Sequence, residues 1–122
     1  MTTHAELDFF SGHMDALPLY EGFRDRMLQI EPDTHLKVQK TQIGFYNRHL
    51  YACVSFMLNR RTDGFTLTLG LPYRLDSSMV AAVSEPYPGR WTHHIRIDGG
   101  DRLDDELFSL LAEAADWADA KR

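Results

Sequence analysis

Six histidines and one cysteine are the side chains of this chain best suited to proton transfer or metal ligation. Imidazole titrates near neutrality and readily ligates metals. The densest cluster is Thr92-His93-His94, set in a stretch whose apolar and polar residues alternate. Adjacent strand residues point to opposite faces, so His93 and His94 do not converge on one ion. The pattern turns His93 inward, as a hydrogen-bonded structural histidine, and His94 outward. His4, His13, His35 and His49 lack ligand spacing such as His-Glu-x-x-His, and Cys53 has no second thiol. No metal and no cofactor is expected. Nucleophilic and phosphoryl-transfer templates are missing too: Gly-x-Ser-x-Gly and Gly-x-x-x-x-Gly-Lys do not occur, and Gly99-Gly100 suits a turn.

The polar set with the clearest chemistry is Lys37, Gln39 or Lys40, Gln42, Tyr46, Arg74, Arg90 and His94. Cations at strand ends, with amide and phenol groups between them, suit a carboxylate or a phosphate. Single-stranded nucleic acid would use the same groups with Tyr46, Tyr51 and Trp91 as stacking platforms. Strand aromatics are more commonly core, and acidic flanks repel a polyanion, so nucleic acid is not the expected partner.

The elements that must position these residues centre on His35 to Leu71. A period of two runs through Leu36 and Val38, Ile43 and Phe45, and Phe65, Leu67, Leu69 and Leu71, which predicts strands with one apolar face. The run from Leu50 to Leu58 is apolar nearly throughout and reads as a central strand. Asn47-Arg48-His49 and Asn59 to Gly64 read as turns, the second ending in Asp-Gly. Connections this short require antiparallel neighbours. A last strand spans Arg90 to Ile97, entered through a turn-rich loop, Ser84 to Gly89.

Helices are predicted on either side. Thr3 caps a short one containing Leu7, Phe9 and Phe10. A second starts near Leu17-Pro18 and carries Leu19, Phe23, Met27 and Ile30 at helical spacing. Asp76-Ser77-Ser78 suits the cap of one helical turn through Met79-Val80-Ala81. Asp101 suits the cap of a closing helix whose stripe is Leu103, Leu107, Leu110, Leu111, Ala114 and Trp117, with Lys121 and Arg122 at its negative end.

The net charge of −5 is unevenly spread. Residues 1–33 carry seven acidic and two basic side chains, and residues 76–122 carry ten and five. Between them, Asp63 stands against Lys37, Lys40, Arg48, Arg60, Arg61 and Arg74. A basic sheet among acidic helices is either a rim of ion pairs or an anion-attracting face. At 122 residues the chain reads as a single domain able to bury a core. Cys53, in an apolar run, reads as an inert core thiol. No stretch approaches the ~20 apolar residues of a membrane span, and Glu6 and Asp8 stand where a signal peptide is basic. A cytoplasmic protein that does not engage membranes is expected.

Two motifs carry a resemblance. Lys40-Thr41-Gln42-Ile43-x-Phe45 followed by Arg48, and Pro88-Gly89-Arg90-Trp91-Thr92-His93-His94, resemble the bacterial domain-of-unknown-function family DUF5655. The likeness runs from about Leu19 to Trp117 and includes the Leu-Asp-Asp-Glu-Leu helix start at residues 103 to 107. The chain is also distantly similar to YdhG-like small α+β domains. The resemblance implies a stand-alone or appended bacterial domain with no assigned activity. It marks Lys40, Gln42, Arg90, His93 and His94 as shared positions without roles.

The expectation is an α+β domain over residues 1–122, with residues 1–17 as an extension or short helix and 18–120 as the DUF5655-like core. Its sheet is five-stranded and mainly antiparallel, with the amino-terminal and closing helices over one face. The first functional reading is a non-enzymatic binding module whose basic sheet face takes a small anionic ligand or an acidic peptide through Lys37, Lys40, Gln42, Tyr46, Arg74, Arg90, His93 and His94. The second is an interaction domain forming a homodimer. The third is an enzyme using His94 with Arg90 and Lys40.

Overall fold

A computed structural model describes residues 2–58 and 62–121. Asn59, Arg60 and Arg61 of the predicted second turn, and the terminal Arg122, lie outside the described residues. Three helices, α1 (His4–Phe9), α2 (Leu17–Ile30) and α3 (Asp105–Asp119), accompany six strands. These are β1 (His35–Val38), β2 (Ile43–Tyr46), β3 (Leu50–Ser55), β4 (Phe65–Leu71), β5 (Ala82–Tyr87) and β6 (Arg90–Ile97). The architecture is α+β, with the sheet order β1-β2-β3-β4-β6-β5 and every pairing antiparallel.

The register sorts the side chains by face. Val38, Ile43, Val54, Leu67 and Ile95 form one rung across five strands, and the four on β2, β3, β4 and β6 are fully buried. The helices cover this face. The Phe23 ring of α2 lies 5.4 Å from Phe45, 5.7 Å from Phe65 and 5.8 Å from Phe108 of α3. On the opposite face the matching rung is Lys37, Gly44, Cys53, Thr68, His94 and Ala82. Small side chains occupy its middle and basic ones lie toward its sides.

Capping fixes the helix starts. Thr3 caps α1 reciprocally with Glu6, as its position before the first apolar residues predicts. Pro18 sits in the first turn of α2, where no amide donor is needed. At α3 the cap is Asp104, whose carboxylate accepts from the Leu107 amide at 2.9 Å. Asp101 instead belongs to a 3-10 turn, Gly100–Arg102, which carries the chain off β6 before the helix begins. The predicted helical turn at Met79 is a simple turn, because the segment from Ala82 goes straight into β5.

The sixth strand corrects the expected five. β5 covers most of the presumed loop, pairs with β6 and lies at the sheet edge. Its side chains from Ser84 to Tyr87 are exposed, so no apolar period marks it. It includes Pro86, and its register shifts between Ser84 and Tyr87. Gly89, at φ +76°, turns the chain into β6. The apolar run from Leu50 is strand only as far as Ser55; Phe56 leaves it to meet Phe9 and Phe10 of the amino-terminal segment. No helix among the described residues is long and apolar enough to cross a membrane.

Candidate functional site

Strand pairing between β3 and β4 ends at Ala52 and Leu69, while β4 continues to pair with β6 through Leu71. β2 and β3 also shift register between Phe45 and Tyr46, which sets Tyr51 apart from the ladder. A cleft of about 110 Å³ opens at this end of the sheet. Leu50, Ala52 and Gly70 line it from the strands, and Ala114, Trp117 and Ala118 line it from α3. Gly70 leaves open the space before the Trp117 ring, which a β-carbon there would meet in ordinary contact at 3.4 Å.

Two cations also line the cleft, Arg90 at the start of β6 and Lys121 just past α3. The Lys121 ammonium lies 3.9 Å from the centroid of the Trp117 ring. Partial burial pushes its pKa down and the Arg90 charge pushes it further. Neither makes an ion pair among the described residues. The cleft thus holds like charges beside an apolar wall, a field that an anion relieves.

Hydroxyls and a thiol complete the lining. Thr68, Thr92 and Cys53 face it, and Thr68 Oγ1 lies 2.8 Å from His94 Nδ1. Burial pushes the Cys53 thiol up and the His94 imidazole down, so each favours its neutral form. The α3 wall is held by the β2–β3 turn. Asn47 Nδ2 donates to the Ala115 carbonyl at 2.7 Å, Arg48 donates to that of Asp119 at 3.2 Å, and His49 Nδ1 meets that of Ala118 at 2.9 Å. These side chains tie the turn to the last turns of α3, and Arg48 supplies a donor to the Asp119 carbonyl at the helix end.

The residues singled out from sequence divide between locations. Arg90 and His94 share a face of β6, and His94 reaches the cleft through Thr68. Lys37 lies on the rung of His94 but four strand spacings away, about 19 Å at roughly 4.8 Å each. Tyr46 is half-buried, stacks on His35 at 5.6 Å and lies over Gly44. Lys40 and Gln42, in the β1–β2 turn, sit at the opposite end of the sheet from Arg90. The third sequence reading therefore lacks its geometry, because Lys40 and His94 are not brought together. Arg74 is exposed in the β4–β5 loop. His93 is fully buried on the helix-covered face, where its Nε2 accepts from the Leu75 amide at 2.8 Å. Burial holds its pKa below the usual imidazole value.

Sequence reasoning missed two cleft residues. Trp117 belongs to the apolar stripe of α3 but is half-buried at its end, and Lys121 reads from sequence as a charge on the helix dipole. Their i, i+4 spacing was the available signal, since it stacks an ammonium over an indole on one helix face. Of the aromatics considered for base stacking, Tyr51 is buried with its hydroxyl 2.7 Å from Thr34 Oγ1, and burial pushes that phenol up to about 12. No group of three His, Cys, Asp or Glu side chains able to hold a metal ion exists among the described residues.

The class is thus a small α+β domain with helices on one face of a six-stranded antiparallel sheet and a cationic cleft at one sheet end. The family described as "Domain of unknown function (DUF5655)" matches residues 6–117, and the chain belongs to it. No curated protein and no solved structure matches.

Proposed function

We propose that the chain is a non-enzymatic binding module whose cleft between β3, β4 and the end of α3 accepts a small anionic ligand. The supporting observation is the pair of cations, Arg90 and Lys121, lining a cleft with an apolar wall and lacking carboxylate partners among the described residues. An engineered apolar cavity of about 150 Å³ takes up benzene, so about 110 Å³ suits a compact group rather than a nucleotide. A carboxylate with a short apolar tail meets both demands, its head at Arg90 and its tail along Trp117. An acidic peptide side chain presents the same chemistry.

Thermal-shift measurements with benzoate, isovalerate and inorganic phosphate test the reading. A ligand at 100 times its Kd adds about 2.7 kcal/mol. With roughly 2.1 cal/mol/K of unfolding entropy per residue, the 122 residues convert this into a rise of about 10 °C. The shift is expected for a carboxylate, to be lost in Arg90→Ala and reduced in Gly70→Ala, and to survive in Lys37→Ala. Equal shifts in wild type and Arg90→Ala would refute the proposal.

A further inference from the structure

At the opposite end of the sheet lies a broader depression of about 500 Å³. One side of it is aromatic. Phe9 and Phe56 stack at 5.1 Å, and the His13 ring lies on Phe56 at 3.7 Å with only 10° between their planes. Met57, 63% exposed, extends the apolar side. The other side is polar, with Lys40 and Thr41 from the β1–β2 turn and Ser55 from the end of β3.

Two enclosed polar atoms around this depression have no hydrogen-bond partner, Ser55 Oγ and His13 Nδ1. Ser55 is 7% exposed, so bulk water does not satisfy its hydroxyl. Buried polar groups are overwhelmingly hydrogen-bonded, and an orphan in a folded domain calls for a physical reason. Here two orphans border the same concavity. Beside them, Lys40 makes no ion pair among the described residues. The depression falls within the roughly 300–1,000 Å³ of small-molecule sites, large enough for a bicyclic aromatic.

We propose that this depression is a second ligand site, taking a flat aromatic acid. The anionic group meets the Lys40 ammonium and the hydroxyls of Ser55 and Thr41. The ring system lies along Phe9, Phe56 and Met57. A small rotation about the Ser55 side chain turns its hydroxyl from unsatisfied to donating. The Lys40-Thr41 run, which the Arg90 cleft leaves unused, acquires a role here, and the site stands independently of that cleft.

The test uses 8-anilinonaphthalene-1-sulfonate, an aromatic anion whose fluorescence rises in an apolar site, with native protein well below its unfolding temperature. Saturable binding is expected, weakened about tenfold by Lys40→Gln, the loss of one charge-assisted contact. Ser55→Ala is expected to weaken binding at least threefold while raising Tm, because it deletes a hydroxyl that the fold alone does not satisfy. Arg90→Ala should leave dye affinity unchanged. Dye binding indifferent to both Lys40→Gln and Ser55→Ala, or lost in Arg90→Ala, would overturn the proposal. A lowered Tm in Ser55→Ala would do so too, by showing that the fold itself uses the hydroxyl.

Discussion

Replacing Arg24 by leucine should destabilise the domain at neutral pH and do so much less in acid. Arg24 and Glu6 are 4% and 2% exposed, and Arg24 Nη1 lies 3.0 Å from Glu6 Oε2. The carboxylate also accepts from the Thr3 amide at 2.9 Å and from the Tyr20 hydroxyl. Burial pushes this carboxyl up, but the Thr3 amide, Tyr20 and Arg24 together outweigh burial and hold it below the usual carboxylate value. Removing one partner of a buried pair costs about 3–5 kcal/mol. Thr3 and Tyr20 remain in Arg24→Leu, so the lower end applies, and about 3 kcal/mol over 122 residues lowers Tm by roughly 12 °C. The pH dependence has a definite sign. In the wild type the depressed carboxyl contributes stability above the unfolded value of 4.5, lost as pH falls through the folded one. Without the guanidinium the carboxyl rises from its wild-type position while Thr3 and Tyr20 still hold it down, so the variant loses less stability than the wild type as the pH falls. Thermal unfolding by circular dichroism should therefore show the gap in Tm narrowing from pH 7 to pH 4. The double variant Glu6→Leu/Arg24→Leu should recover to within about 2 kcal/mol of wild type, since an apolar pair replaces the ions at the cost of the acceptor for three donors, the Thr3 amide and hydroxyl and the Tyr20 hydroxyl. A gap of the same size at pH 7 and pH 4, or one under about 3 °C at pH 7, would refute the reasoning.

Other perturbations probe the rest of the molecule. Asn47→Ala removes the donor to the Ala115 carbonyl and should cost about 1–2 kcal/mol by denaturant melt. It should also reduce the carboxylate-induced shift in Tm, because the last turn of α3 carries Trp117. Glu31→Lys should raise Tm by about 1–4 °C, the exposed-pair scale of up to about 1 kcal/mol. Burial, then Asp116, Asp119 and Asp33, push the Glu31 carboxyl up. Its unfavourable contribution is present at neutral pH and fades as pH falls through the folded value, so the gain should shrink in acid and in high salt. His93→Gln should flatten the decline in Tm between pH 7 and pH 5. The imidazole is held neutral by burial, so the wild-type fold loses stability as pH drops below the unfolded histidine value of 6.5. An unchanged slope would refute that assignment.

Periodicity reveals which face a side chain occupies but not where along the sheet it lies. The sequence therefore separates His93 from His94 correctly, since they are neighbours on one strand. It groups Lys40 with Arg90 wrongly in space, because their distance depends on strand order and register. β5 was illegible for a related reason. An edge strand with water on both sides needs no apolar alternation, and Glu85-Pro86-Tyr87 reads as loop. The Asp104 cap was masked by Asp101, an equally good capping residue placed one short turn too early. Trp117 and Lys121 looked like a core position and a dipole charge, and only the ending of the β3–β4 pairing beside them makes them a wall. The main helices were legible because Phe23, Met27, Leu107 and Leu111 recur on one stripe and have an apolar sheet face to cover.

The border formed by β5 bears on how copies of this domain meet in a crowded solution. A strand at the margin usually presents a continuous row of amides onto which another chain can zip. Here the ring at Pro86 deletes one amide, and the slipped register beside it bends the row, so the ladder has a missing step where a newcomer would need to climb. Fibril-like stacking along that flank is thereby discouraged by the backbone itself, whatever the side chains around it do.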